Sequence, residues 1–183
     1  MAGDLIVKFR DASEPGAQLA AVLSGQRSVP SVAPIAARLT AELNVPLVLV
    51  QVTSGREALL ALDHAALAQA LVSQAGRETA VQRASVAGAG AGARPGLPGA
   101  EFVLRLELKR GVPPPAAPAL AHRFAAGGLT VPRIVREGGD ALNLHYDIDA
   151  LTLALIGKLQ QRAEVEYAQA NRLLRPAAPP TSR

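Results

Sequence analysis

Pro34, Leu60, Asp63, Leu67, Leu71 and Val81 are matched 84 positions later, in the same order, by Pro118, Leu144, Asp147, Leu151, Leu155 and Val165. The first apolar alternation matches with an offset of 99, which sets Leu5, Val7 and Phe9 on Leu104, Leu106 and Leu108 and places 15 extra residues between Arg10 and Pro34. Leucine-rich segments coincide by chance, but prolines, caps and alternations in one shared order point to an internal duplication. A chain of this kind has to build one small unit twice.

The unit can be read from the first copy. Leu5, Val7 and Phe9 face one way and Lys8 the other, as in a strand. A helical stretch from Ala17 to Leu23 precedes breaks at Gly25 and Pro30, and Pro34 opens a second helix with Ile35, Leu39 and Leu43 one turn apart. After Pro46, Leu47 to Val52 and Ala58 to Leu62 flank the turn Thr53-Ser54-Gly55 as a hairpin. Asp63 is placed to cap a helix with Leu67, Ala70 and Leu71 on its apolar stripe and Gly76 at its end, and Thr79 to Val86 reads as the closing strand.

The second copy repeats this order. Phe102 to Leu108 is its first strand, and Leu120 and Phe124 lie one turn apart on a helix ending at Gly127-Gly128. Leu142, Leu144 and Tyr146 then alternate with Asn143 and His145. A helix capped by Asp147 or Asp149 carries Ile148, Leu151, Leu155 and Leu159, and Val165 begins the last strand. Between the copies, the Gly-, Ala- and Pro-rich run 87–100 has little to bury and reads as a linker. The expected fold is α+β: two tandem ferredoxin-like βαββαβ modules, antiparallel sheets with helices on one face. Their bounds are 1–86 and 101–171, with an extended tail at 172–183.

Composition narrows the chemistry. With 183 residues, 49% hydrophobic and only 3% aromatic, the core is built from Leu, Val, Ile and Ala. The absence of cysteine removes disulfides, thiol nucleophiles and thiolate metal sites together. No apolar run approaches the roughly 20 residues a membrane span needs, and Met1 to Leu5 lack a basic region followed by a signal-type apolar run. The net charge of +4 raises nucleic acid as a partner, but the cations are scattered and no aromatic platforms flank them, so a solvated surface explains them better.

Catalytic patterns are weak. His64, His122 and His145 have no second ligand at metal-binding spacing, so neither metal nor cofactor is expected. Asp147 and Asp149 are simpler as helix caps than as an acid and base pair. Gly88, Gly90 and Gly92 lack the Lys and Ser or Thr of a phosphate loop, and Ser24-Gly25 and Ser54-Gly55 lack the setting of a nucleophile elbow. The expectation is a binding protein rather than an enzyme.

The end of the second copy, Val165-Glu166-Tyr167-Ala168-Gln169-Ala170-Asn171, followed by Arg172-Leu173-Leu174-Arg175-Pro176, is a short strand leading into a basic, apolar, proline-stiffened peptide. It resembles the propeptide of subtilisin-like serine proteases, which typically ends Val-x-Tyr-(Ala or Val)-Glu-(Pro or Glu)-(Asn or Asp) before a basic, apolar tail. The resemblance covers roughly Glu101 to Pro176 and extends to the first copy in outline. It implies an intramolecular chaperone and inhibitor of a subtilisin-like protease, in cis or in trans, secreted or periplasmic; no membrane partner is expected and nucleic acid is not favoured. In that family the sheet packs on two protease helices, carboxylates of the last strand cap those helices, and the tail lies in the active-site cleft.

Carried over, the capping positions fall on Gln169 and Asn171, amides that accept hydrogen bonds without the charge term. Arg172, Leu173, Leu174, Arg175, Pro176 and Ala177 become the cleft-binding tail, with Leu174 in an apolar subsite and Pro176 and Ala177 nearest the scissile position. Tyr167 is expected to anchor the last strand to the core. The alternative reading, from another class, is a ferredoxin-like interaction or regulatory module that binds a small ligand or nucleic acid.

Overall fold

The computed structural model describes residues 3–87, 101–110, 117–138 and 140–171. In chain order the elements are β1 (Asp4–Phe9), α1 (Glu14–Leu23), a 3₁₀ turn (Val29–Val32), α2 (Ala33–Leu43), β2 (Leu47–Val52), β3 (Glu57–Leu62), α3 (His64–Ala75) and β4 (Val81–Ala87). The second half adds β5 (Glu101–Leu108), α4 (Ala117–Arg123), β6 (Arg133–Glu137), β7 (Ala141–Asp147), α5 (Ile148–Gln160) and β8 (Val165–Ala170). The fold is α+β, with two four-stranded antiparallel sheets.

The duplicated positions do equivalent work. Leu5, Val7 and Phe9 are buried on β1, as are Leu104, Leu106 and Leu108 on β5. Asp63 accepts from Ala66 N and Asp147 from Ala150 N, both at 2.9 Å, so each second helix starts from the same side-chain cap and the capping role belongs to Asp147. The 15 extra residues of the first half contain α1 and the 3₁₀ turn, so they are an ordered insertion before α2. On α3 the buried stripe is Leu67, Leu71 and Ala75. The expected Ala70 is exposed, because Ala75 lies a full turn beyond Leu71 on the covered side.

Strand order departs from a simple tandem arrangement. The sheets run β2-β3-β1-β8 and β4-β5-β7-β6. The last strand of each half therefore pairs with the first strand of the other: Lys8 stands opposite Tyr167, and Arg83 opposite Glu107. The helices follow their strands, since α3 packs on β4 and β5, and α5 packs on β8 and β1. The boundary expected between 86 and 101 describes the chain, while the hydrogen bonding crosses it. The first sheet is three strands from the first half closed by one from the second.

Paired contacts hold the exchanged units. Arg10 N donates to Glu164 O and Lys109 N to Ala80 O, each at 2.9 Å, at equivalent places in the two sheets. Arg38 meets Glu164 at 2.9 Å, and Arg123 meets Glu78 at 2.7 Å. Gln160 Nε2 donates to Ala168 O at 2.9 Å, tying α5 to β8. The buried Tyr146 hydroxyl donates to Phe124 O at 2.9 Å, which satisfies a group whose ionisation burial pushes upward. The apolar side chains of both halves form one contiguous core.

Gly127 marks one place where the halves approach closely. Its φ of +57° suits glycine, and a Cβ there would lie 2.4 Å from Val45 Cγ2 and 2.7 Å from Leu43 O. Any side chain at this position forces the loop after α2 and the loop after α4 apart.

Candidate functional site

In a sheet with helices on one side, the other side is where alternation sends every second residue. On the first sheet these outer residues are Asp4, Ile6 and Lys8 of β1, Glu57, Leu59 and Ala61 of β3, Val48 and Gln51 of β2, and Tyr167 and Gln169 of β8, as the register pairs them. The centre is apolar: Ile6 pairs with Leu59, and Val48 with Ala61. At the bulge between Leu49 and Gln51, Val50 is 51% exposed, and Val48 is 43% exposed. A contiguous apolar row on the side away from the core is the kind of surface that partners cover.

One end of this face is polar. Tyr167 does not anchor β8 to the core: a register shift between Lys8 and Phe9 leaves Val165 and Ala168 buried and turns Tyr167 to the outer face. There its hydroxyl donates to Glu57, which also accepts from Thr53. Lys8 Nζ donates to Gly55 O beside them. The Thr53 and Tyr167 hydroxyls, with the Lys8 charge behind them, hold the Glu57 carboxyl below the usual carboxylate range. The same hydrogen bond to Glu57 pushes Tyr167 above its ordinary value.

Gln169 is exposed on the outer face, two residues along from Tyr167, and Asn171 follows β8 with its N–H donating to Asp4 O at 2.9 Å. Tyr167, Gln169 and Asn171 thus lie together at one edge of the first sheet as the described residues form it. The other expected binding residues, Arg172, Leu173, Leu174, Arg175, Pro176 and Ala177, lie outside the described residues, as do Gly88, Gly90 and Gly92.

Sequence reasoning missed Ile6, Val48, Leu59 and Ala61, because the last strand was read as part of the second half's sheet. A signal was present: Ala58-Leu59-Leu60-Ala61-Leu62 is apolar on both faces, whereas a strand with one wet face alternates.

The second sheet carries different side chains at the equivalent outer places: Arg105 for Ile6, Asn143 for Leu59, His145 for Ala61 and Arg133 for Val48, as the paired registers show. The charged ones pair with neighbouring side chains, while Asn143 is buried beside them with its Oδ1 lacking a hydrogen-bond partner among the described residues. Arg105 meets Glu137 at 3.2 Å, while His145 Nδ1 and Arg133 lie 2.9 and 3.3 Å from the same Glu101 oxygen. His145 faces outward as expected but is largely covered by these neighbours, its side chain 17% exposed.

Among the described residues no group of His, Cys, Asp and Glu is placed to hold a metal ion, and no helix is long and apolar enough to cross a membrane. No family model, curated protein or solved structure matches the chain.

Proposed function

We propose that this protein is a propeptide-type inhibitor and folding chaperone of a subtilisin-like serine protease, working by binding rather than turnover in a secreted or periplasmic setting. In this reading the two sheets are ferredoxin-like βαββαβ units that have traded their last helix and strand. The protease covers the outer face of the first sheet, and the tail from Arg172 enters its cleft. The observation that carries the reading is a juxtaposition: among the described residues, the strand with the propeptide-like motif forms an edge of the sheet whose outer face is apolar. β8 therefore ends, at Asn171 beside Asp4, on the sheet with the apolar outer face rather than on the charged second one.

The chemistry suits such a partner. Ile6, Leu59, Ala61 and Val48 provide desolvation, worth roughly 25 cal/mol per Å² of apolar surface covered. Gln169 and Asn171 offer carboxamide oxygens to helix N–H groups, and an extended tail adds main-chain hydrogen bonds to an edge strand. Leu173 and Leu174 are then apolar anchors in protease subsites. The first half becomes a full participant in this reading, because it supplies three of the four strands of the docking sheet.

The test is direct. The folded chain is added to a subtilisin-like protease and hydrolysis of a chromogenic peptide is followed; slowing that saturates with chain concentration is expected. An unchanged rate, with the chain shown to be folded and uncut, overturns the proposal. Deleting residues 172–183 is expected to weaken inhibition while leaving the circular dichroism spectrum unchanged.

A further inference from the structure

Two units, α3 with β4 and α5 with β8, carry a matched buried stripe, Leu67, Leu71 and Ala75 in one and Leu151, Leu155 and Leu159 in the other, and each faces a choice between two equivalent first strands. We infer that Arg83 and Tyr167 help to make that choice, through the charge of the rung each one joins. In the first sheet the rung of Lys8 and Glu57 is already neutral, and it receives Tyr167, whose hydroxyl donates to Glu57. In the second sheet the equivalent rung is Glu107, Ala141 and Glu137, with two carboxylates and no cation of its own, and it receives Arg83 opposite Glu107. Arg105, from the adjacent rung, lies 4.0 Å from Glu107 and 3.2 Å from Glu137 and is shared between them.

The unexchanged arrangement reverses both matches. Arg83 would stand opposite Lys8, a like-charge pair on directly facing strands, which is unfavourable. Tyr167 would stand opposite Glu107, where Ala141 replaces Glu57 and leaves its hydroxyl without that acceptor. The other bridging contacts favour the same arrangement: Arg38 meets Glu164, whose equivalent in the first half is Ala80, and Arg123 meets Glu78, whose equivalent in the second half is Arg162. Positions 83 and 167 therefore add a charge match on the outer rung to these contacts. The consequence is that Tyr167, Gln169 and Asn171 join the apolar outer face of the first sheet only when the second half has supplied β8.

The chain contains no cysteine, so introduced thiols report pairing without interference. Ile6 lies opposite Gln169, and the unexchanged arrangement would place it opposite Ser85. In a chain carrying Ile6→Cys, Ser85→Cys and Gln169→Cys, oxidised as a monomer, the position-6 thiol is expected to close on position 169. Adding Arg83→Glu should raise the ratio of 6–85 to 6–169 closure by about fivefold, the scale set by cross-strand charge pairs. In the unsubstituted chain, cross-strand NMR contacts should join Ile6 to Gln169 and not to Ser85, which covers failure of the triple variant to fold. Predominant closure or contact of position 6 with position 85, or a ratio unmoved by Arg83→Glu, overturns the inference.

Discussion

The two sheets are alike on the inside and unlike on the outside. Leu60 and Leu144 are fully buried at equivalent places, while their neighbours Leu59 and Asn143 face outward as an apolar and a polar residue. Duplication therefore kept the determinants of folding twice and the apolar outer face once. The charged side chains of the second sheet, Glu101, Arg105, Arg133, Glu137 and His145, pair with one another. The apolar face of the first has no such internal remedy, and this is why the proposed docking is assigned to it.

The comparison can be broken most severely from within. Leu60→Ala and Leu144→Ala should each cost about 2–5 kcal/mol, as deletions from packed cores do. Because each sheet contains a strand of the other half, either substitution should lower one shared urea transition. Two separate transitions, only one of them shifted, would show that the sheets fold independently.

Helix starts come next in size. Asp63→Ala and Asp147→Ala should each destabilise by about 1 kcal/mol, since each removes the same side-chain cap. Clearly unequal losses in chemical denaturation would mean that the two junctions are not equivalent.

The polar end of the first face gives a smaller, pH-dependent effect with no counterpart at Ala141. Glu57 is held below the usual carboxylate range chiefly by the Thr53 hydroxyl and then by Tyr167, so its folded pKa lies under its unfolded one. Its contribution is present above the unfolded value and is lost as pH falls through the lowered folded value. Tyr167 is shifted up, so its contribution holds below the unfolded value and is lost as pH rises through the raised one. Tyr167→Phe should cost about 0.5–1 kcal/mol near neutrality, the low end for a hydrogen bond to a charged group on a part-exposed face. It should also flatten the acid limb of the stability curve; an acid limb identical to that of the parent chain would contradict the role given to this hydrogen bond.

Much of this architecture is legible in the residues. The strands follow from alternation, the caps from Asp63 and Asp147, and the inner core from the leucines that the duplication repeats. Strand pairing is not legible in the same way, because Val81 and Val165 start β4 and β8 with the same buried position and hydrophobic period does not name a neighbour. The outward turn of Tyr167 was hidden for a related reason: a register shift reverses the sense of alternation, and period-two counting assumes none. What the residues did carry was the contrast between the two-faced apolar run at Ala58–Leu62 and the strict alternation at Leu142–Tyr146.

The central claim is that the first sheet's outer face, and not the second's, is the docking surface. Its most direct test is inhibition of a subtilisin-like protease by two matched variants, Leu59→Lys on the first face and Val135→Lys on the second, where Val135 stands opposite Asn143. The account predicts that both remain folded, that Leu59→Lys weakens inhibition at least tenfold, a loss of about 1.4 kcal/mol, and that Val135→Lys leaves it unchanged. Equal inhibition by the two variants, or a loss confined to Val135→Lys, would contradict it.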